Sequence, residues 1–129
     1  NANKKLILGK HCTIGYYSIL DGGGNLDIGD FVHVASPAVG IWTHSGLNSC
    51  INSISLKSSE HTNNMILASV SIGSNTWIGG NTTIMPGVRI EKKVIILPNS
   101  VVNRNLQSGK MYGGVPIKET EYMRFRNWR

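Results

Sequence analysis

An aliphatic residue returns at every sixth position of IGSNTWIGGNTTIMPGVRI, residues 72–90, as Ile72, Ile78, Ile84 and Ile90. A helix repeats at 3.6 residues and a strand at 2, so neither element by itself has a period of six. Six is a multiple of the strand period, and it suits a chain that runs a short strand, turns a corner and starts again. Self-similarity of this kind decides the architecture before any other feature does.

The period extends through the chain. Cut in sixes from Leu8, the sequence reads LGKHCT, IGYYSI and LDGGGN. Leu26–Asp27 follow, then IGDFVH and VASPAV, then Gly40 and IWTHSG. The pattern breaks over 47–70 and resumes at Ile72 with IGSNTW, IGGNTT, IMPGVR, IEKKVI, ILPNSV and VNRNLQ. Twelve hexapeptides make about four coils of three, an all-β prism with three short strands per turn. Residues two apart share a strand face, which pairs Thr76 with Ile78, Thr82 with Ile84, Val94 with Ile96 and Ser100 with Val102. Residues eighteen apart stack, so Ile72 falls on Ile90, Ile78 on Ile96 and Ile84 on Val102. Gly23, Asn75, Asn81, Gly87 and Asn99 sit where corners call for left-handed backbone. The interruption at 47–70 reads as an extruded loop. It is longer than a simple connection requires, and loops of that length tend to be functional.

Length and composition set the remaining bounds. With 129 residues the chain is one domain. Asn1–Ala2, with no Met, reads as a tag remnant. Residues 3–129 then form the domain, with coils over 8–107 and a closing turn and cap over 108–129. Tyr122, Met123, Phe125 and Trp128 suggest a short helix covering the open end of the prism. The arginines between them read as snorkelling side chains of that cap rather than a nucleic-acid patch. No run of 18 apolar residues is present, so no membrane span is expected. Cys12 and Cys50 lack a CxxC spacing, which argues against zinc or a redox pair and leans towards a reducing, cytoplasmic compartment. Thirteen Lys and Arg against seven Asp and Glu give a formal charge of +6, which favours anionic ligands such as a phosphorylated cofactor.

The [LIV]-G-x-x-[small]-x repeat resembles the left-handed parallel β-helix of hexapeptide-repeat acyltransferases. NTWIGGNTTIMPGVRI and the later GGVPIK are similar to that family's closing coils and its Gly-x-Pro-x-Lys/Arg segment. The likeness covers about residues 8–118 and points to sugar O-acetyltransferases of the maltose and galactoside type, using acetyl-CoA as co-substrate and no metal. It alone supplies the left hand, since crossover physics favours the right. It also implies a homotrimer with sites between neighbouring prisms. Two departures stand out. Leu97–Pro98 replace the usual Gly-Ala, and Asn103 replaces the usual Thr.

Of four histidines, His44 in GIWTHSG occupies the place where the family carries its catalytic base, just before the loop. A neutral imidazole suits removal of a hydroxyl proton during acyl transfer. His11 and His33 read as surface residues of ordinary repeats. His61, in SSEHTNN, is a candidate for the acceptor pocket. Asp21, in ILDGGGN, lies one coil before His44 on the same side, where it would hold the acceptor or steady the imidazole. For the cofactor the resemblance implies Gly80 along the pantetheine groove, Asn103 and Arg104, Gly113 and Gly114 for close backbone approach, and Lys118 for a CoA phosphate. The same motifs are compatible with an N-acetyltransferase acting on an amino-sugar nucleotide, or with a scaffold β-helix that binds without catalysis. Histidine separations of 22, 11 and 17 residues do not suit a β-helical carbonic anhydrase, which needs two closely spaced metal ligands.

Overall fold

A computed structural model describes residues 5–121. The readings of Asn1–Ala2 and of an aromatic cap from Tyr122 onward lie outside these residues. Each turn of the chain contributes one strand to each of three sheets. The first coil holds β1 (Leu6–Leu8), β2 (Thr13–Ile14) and β3 (Ile19–Leu20), and the second β4 (Leu26–Ile28), β5 (His33–Val34) and β6 (Gly40–Ile41). An excursion follows, with β7 (His44–Ser45), α1 (Leu47–Ile51), α2 (Ser59–Asn64) and β8 (Ile66–Leu67). The prism then resumes with β9 (Val70–Ile72), β10 (Trp77–Ile78), β11 (Thr83–Ile84), β12 (Arg89–Ile90), β13 (Ile95–Ile96) and β14 (Val101–Val102). It closes with β15 (Met111–Gly113) and β16 (Lys118–Glu119).

The first sheet runs β1-β4-β9-β12, the second β16-β15-β13-β10-β5-β2 and the third β14-β11-β6-β3. Apart from the antiparallel closing hairpin β15–β16, the pairings within these sheets are parallel. The expected stacks appear in register, with Ile72 on Ile90, Ile78 on Ile96 and Ile84 on Val102. The columns extend backwards to Ile28, Val34 and Ile41. These side chains are buried and form the core.

The small member of each strand pair is also buried, and where it carries a hydroxyl that group is used. Thr76 donates to the Glu91 carbonyl at 3.2 Å and Ser100 to the Leu97 carbonyl at 2.6 Å. A buried hydroxyl without such a partner would be costly. At the closed end Tyr112 stacks on Ile96, and its hydroxyl accepts from the Gln107 N–H at 3.0 Å. Together with Leu106 and Ile117 it fills the last cross-section of the prism.

Corners follow a stricter rule than the sequence suggested. Asn75, Asn81, Gly87 and Asn99 have positive φ, as expected, but the first triple-glycine corner places Asn25 (φ 77°) there instead of Gly23. His11, Tyr17, Phe31, Ala38 and Lys93 adopt the same conformation. The corner residue donates its N–H to the preceding coil: Ala38 to Tyr16, Asn81 to Pro37 and Asn99 to Gly80, and on another corner Phe31 to Lys10, Asn75 to Asp30 and Lys93 to Ser74. That inter-coil bond offsets left-handed strain in residues that would otherwise avoid it. His11 gains a further contact by stacking its ring on Phe31, with centroids 4.8 Å apart, while His33 lies exposed on β5. Both are surface features of ordinary coils.

The expected loop at 47–70 needs correcting at both ends and in kind. It starts at β7, holds two short helices, and is over before Val70, which is already buried in β9. Among the described residues no helix is long and apolar enough to cross a membrane.

The stacked columns and the corners make separable contributions to stability. Ile96→Ala should cost about 2–5 kcal/mol, the usual cost of truncating a buried aliphatic. Asn99→Gly should cost a few tenths, whereas Asn99→Val, β-branched at φ 60°, should cost about 1–2 kcal/mol. Urea midpoints at unchanged slope measure all three.

Candidate active site

The excursion leaves and re-enters the prism at the corner joining the third sheet to the first. β7 and β8 pair antiparallel at its neck, His44 opposite Leu67 and Ser45 opposite Ile66. The Ala68 N–H donates to the Thr43 carbonyl at 2.9 Å and closes the base. This corner carries Asp21–Asn25 from the coil below. The triple glycine lets the two segments meet, because a Cβ on Gly24 would lie 2.2 Å from the Thr43 carbonyl oxygen.

Asp21 is the hub of the junction. Its Oδ2 accepts from the Thr43 N–H at 2.8 Å, lies 2.9 Å from the Thr43 hydroxyl, and sits 2.5 Å from His44 Nδ1. Its Oδ1 accepts from the Gly23 N–H at 2.9 Å. The buried Thr43 hydroxyl also lies 2.8 Å from the Asp21 carbonyl oxygen and accepts from the Gly24 N–H at 2.8 Å. Burial alone would push the Asp21 carboxyl up. The hydrogen bonds from the Thr43 and Gly23 backbone, from His44 and from the Thr43 hydroxyl outweigh it and hold the group at about 2.

An ionised carboxylate can only accept, so His44 Nδ1 carries a ring proton, and in the neutral ring the lone pair is on Nε2. The Asp21 side chain is 11% exposed and that of His44 43%. A shielded acid therefore orients an accessible imidazole, the arrangement a general base requires. His44, Gly23, Gly46, Leu56, His61, Met65 and Leu67 line a cleft of about 400 Å³. A larger groove, about 630 Å³, runs over the first sheet past Ser71, Arg89 and Ser108, and holds neither Asp21 nor His44.

His61, from α2, faces the same cleft, and its Nδ1 is 2.7 Å from the hydroxyl of fully buried Ser49 on α1. The structure thus brings together Asp21, His44 and His61. Thr43 and Ser49 are the residues that sequence reasoning missed. Thr43 lies directly before His44, but its inward-facing hydroxyl is visible only once the coils are stacked. Ser49 carries no sequence signal.

The positions expected to hold the cofactor are not gathered in one place. Gly80 and Gly114 stand at the corner between the second and third sheets, with Gly113 and Lys118 beside it on β15 and β16. Asn103 and Arg104 are exposed on the same corner as His44, but after β14. The Arg104 guanidinium lies over the Tyr112 ring, 5.4 Å from its centroid. Gly80 differs from expectation in being buried. A Cβ there would lie 2.4 Å from the Ser36 carbonyl oxygen, so coil stacking already requires a glycine. Lys118 is exposed and makes no ion pair among the described residues, and the adjacent Gly114 is exposed as well.

Residues 69–104 match the family model for the bacterial transferase hexapeptide, six repeats. Over those residues the chain carries the hexapeptide repeat of bacterial transferases. A Saccharomyces cerevisiae protein named as an acetyltransferase is 45% identical to it over 49 residues, 38% of this chain and 25% of that one. The crystal structure of a maltose O-acetyltransferase from Clostridium difficile 630 superposes with a TM-score of 0.70 at 28% identity, covering 88% of this chain and 56% of that one. A hexapeptide-repeat acetyltransferase from Vibrio cholerae, solved with acetyl coenzyme A, gives 0.68 at 30% identity, covering 87% and 57%. The hexapeptide-repeat chain thus matches about a quarter of its curated relative and just over half of each solved structure. The likeness implies the left-handed form of the β-helix.

The depressed Asp21 group links the site to stability. Its folded value, about 2, lies below the ordinary 3.8, so its ionised form stabilises the folded state above that ordinary value. The contribution is lost as pH falls through the folded value. The urea midpoint of the parent should therefore drop between about pH 4 and 2, and Asp21→Asn should flatten the drop in that window. Identical acid profiles would remove Asp21 as the hub.

Proposed function

We propose that this chain transfers the acetyl group of acetyl-CoA to a hydroxyl of a saccharide acceptor, with His44 as general base. The observation that carries the reading is the Asp21–His44 pair at the mouth of a cleft on a hexapeptide prism. Acetyl-CoA supplies a thioester carbonyl with a good leaving group. The acceptor hydroxyl binds in the cleft and gives its proton to His44 Nε2 as its oxygen bonds the carbonyl carbon. The carbon–sulfur bond breaks, and the same proton passes to the leaving sulfur, returning His44 to its starting state. Asp21 holds the tautomer fixed and stabilises the imidazolium formed between the two proton transfers.

Lys118 and the Gly113–Gly114 backbone fit the anionic and extended parts of coenzyme A: an exposed cation with no ion-pair partner among the described residues lies beside backbone that a ligand can approach closely. Arg104 and Asn103 are accessible for a second contact. Gly80 would take part through its backbone alone. Both cysteines are free thiols, in keeping with a cytoplasmic enzyme.

The active unit we infer is a homotrimer. In a single chain the third sheet separates the Lys118 corner from the His44 corner, and a neighbouring prism would bring one copy's base to another's cofactor. Sedimentation at micromolar concentration should give three times the chain mass, and a monomer with full activity would overturn the shared site.

Two variants separate the roles. His44→Ala should lower turnover by about 10²–10⁴ and leave acetyl-CoA binding nearly unchanged. Lys118→Glu should raise the KM for acetyl-CoA more than it lowers turnover, because its contact is far from the reacting carbonyl. Steady-state thiol release with each variant reads both effects, and full activity in His44→Ala would remove His44 as the base.

A further inference from the structure

The cleft's walls restrict what it can accept. Its described lining consists of two imidazoles, two glycines and the aliphatic side chains of Leu56, Met65 and Leu67. Among the described residues no Lys, Arg, Asp or Glu lines it. A phosphate or carboxylate brought against such a wall would lose water and gain no charged partner, which is strongly unfavourable. A methyl or methylene placed there would instead exchange water for Leu56 and Leu67, both more than half exposed, which is favourable in proportion to the apolar area covered.

The second imidazole is built in with unusual care. Ser49 is completely buried, on a five-residue helix, and its hydroxyl meets His61 Nδ1 at 2.7 Å. Ser49 engages Nδ1 and leaves Nε2 for a ligand, as a donor where the hydroxyl donates to Nδ1 and as an acceptor where Nδ1–H donates to the hydroxyl. A ligand hydroxyl can meet either form. His44 Nδ1 is held by Asp21, so the two rings take separate roles: one takes a proton from the reacting hydroxyl, and the other hydrogen-bonds a neighbouring oxygen.

We propose that the acceptor is an uncharged sugar or polyol whose reacting hydroxyl adjoins an apolar flank, as in a deoxy or O-alkylated sugar, and that His61, positioned by Ser49, hydrogen-bonds its second oxygen. This rests on the transferase reading above and narrows its acceptor class. Nucleotide-activated sugars and uronic acids are poor ligands for the same cleft. Ser49 is a positioning residue, acting on the acceptor only through His61.

Thiol release from acetyl-CoA by the full chain, with methyl D-fucoside against methyl D-galactoside and methyl D-rhamnoside against methyl D-mannoside, tests the apolar flank. UDP-galactose and galacturonate test the charge. The 6-deoxy member of each pair should be favoured by about tenfold to a hundredfold in kcat/KM, the range a single apolar group commands, and the two anions should be poorer than either. Ser49→Ala should raise the acceptor KM several-fold with little change in kcat or in the KM for acetyl-CoA. Leu56→Arg, at an exposed position that does not threaten folding, should raise kcat/KM for galacturonate relative to methyl galactoside. A preference for UDP-galactose or galacturonate in the parent would overturn the inference while leaving the transferase reading intact. So would indifference of acceptor kinetics to both Ser49→Ala and Leu56→Arg. Absence of thiol release with every acceptor, together with no binding of acetyl-CoA, would remove the transferase reading and this inference with it.

Discussion

Everything in this chain depends on coils that must superpose. A parallel stack leaves each strand's hydrogen-bonding groups to the coil above and the coil below, so a corner that turned too early or too late would break three sheets together. The left-handed backbone at the corners is the device that keeps the turns equal, and its N–H is used in the stacking. Register and turning are thus one constraint, and the apolar columns from Ile28 to Ile90 and from Val34 to Ile96 are its result.

The site is an exploitation of one such corner. Where Asp21–Asn25 meets Thr43, the carboxylate of one coil replaces part of the ladder that ordinary corners use, accepting from the Thr43 N–H and holding His44 with the same oxygen. The geometry of the Asp21–His44 pair therefore inherits the rigidity of the prism instead of that of a loop. Gly24 is part of the same arrangement, since the close approach to the Thr43 carbonyl leaves no room for a side chain.

How far the sequence could be read follows from how each feature is encoded. The columns were legible because burial imposes a period, and a period survives single substitutions such as Val102 for isoleucine. His44 and Asp21 were legible because their neighbours form recognisable strings in consecutive coils. Corners at Phe31, Ala38 and Lys93 were not, because the inter-coil hydrogen bond compensates the strain and nothing about those side chains announces it. The excursion was legible as an interruption but not in its contents. A five-residue and a six-residue helix carry too few turns for a pattern, and their stability comes from packing on each other. Gly80 shows the converse: a glycine that a resemblance assigns to a ligand also has a sufficient reason in the Ser36 carbonyl of the neighbouring coil.

The neck formed by β7 and β8 separates two evolutionary problems. His44 sits at the foot of the neck, in β7, tied to the prism through Asp21, whereas Leu56, His61 and Met65 sit beyond it, on a segment that departs and returns through the same pair of strands. Residues 46–65 can then diverge, lengthen or be exchanged between proteins as a cassette without moving His44. A lineage built on this plan could reshape the cleft repeatedly while the Asp21–His44 pair stays where the coils put it.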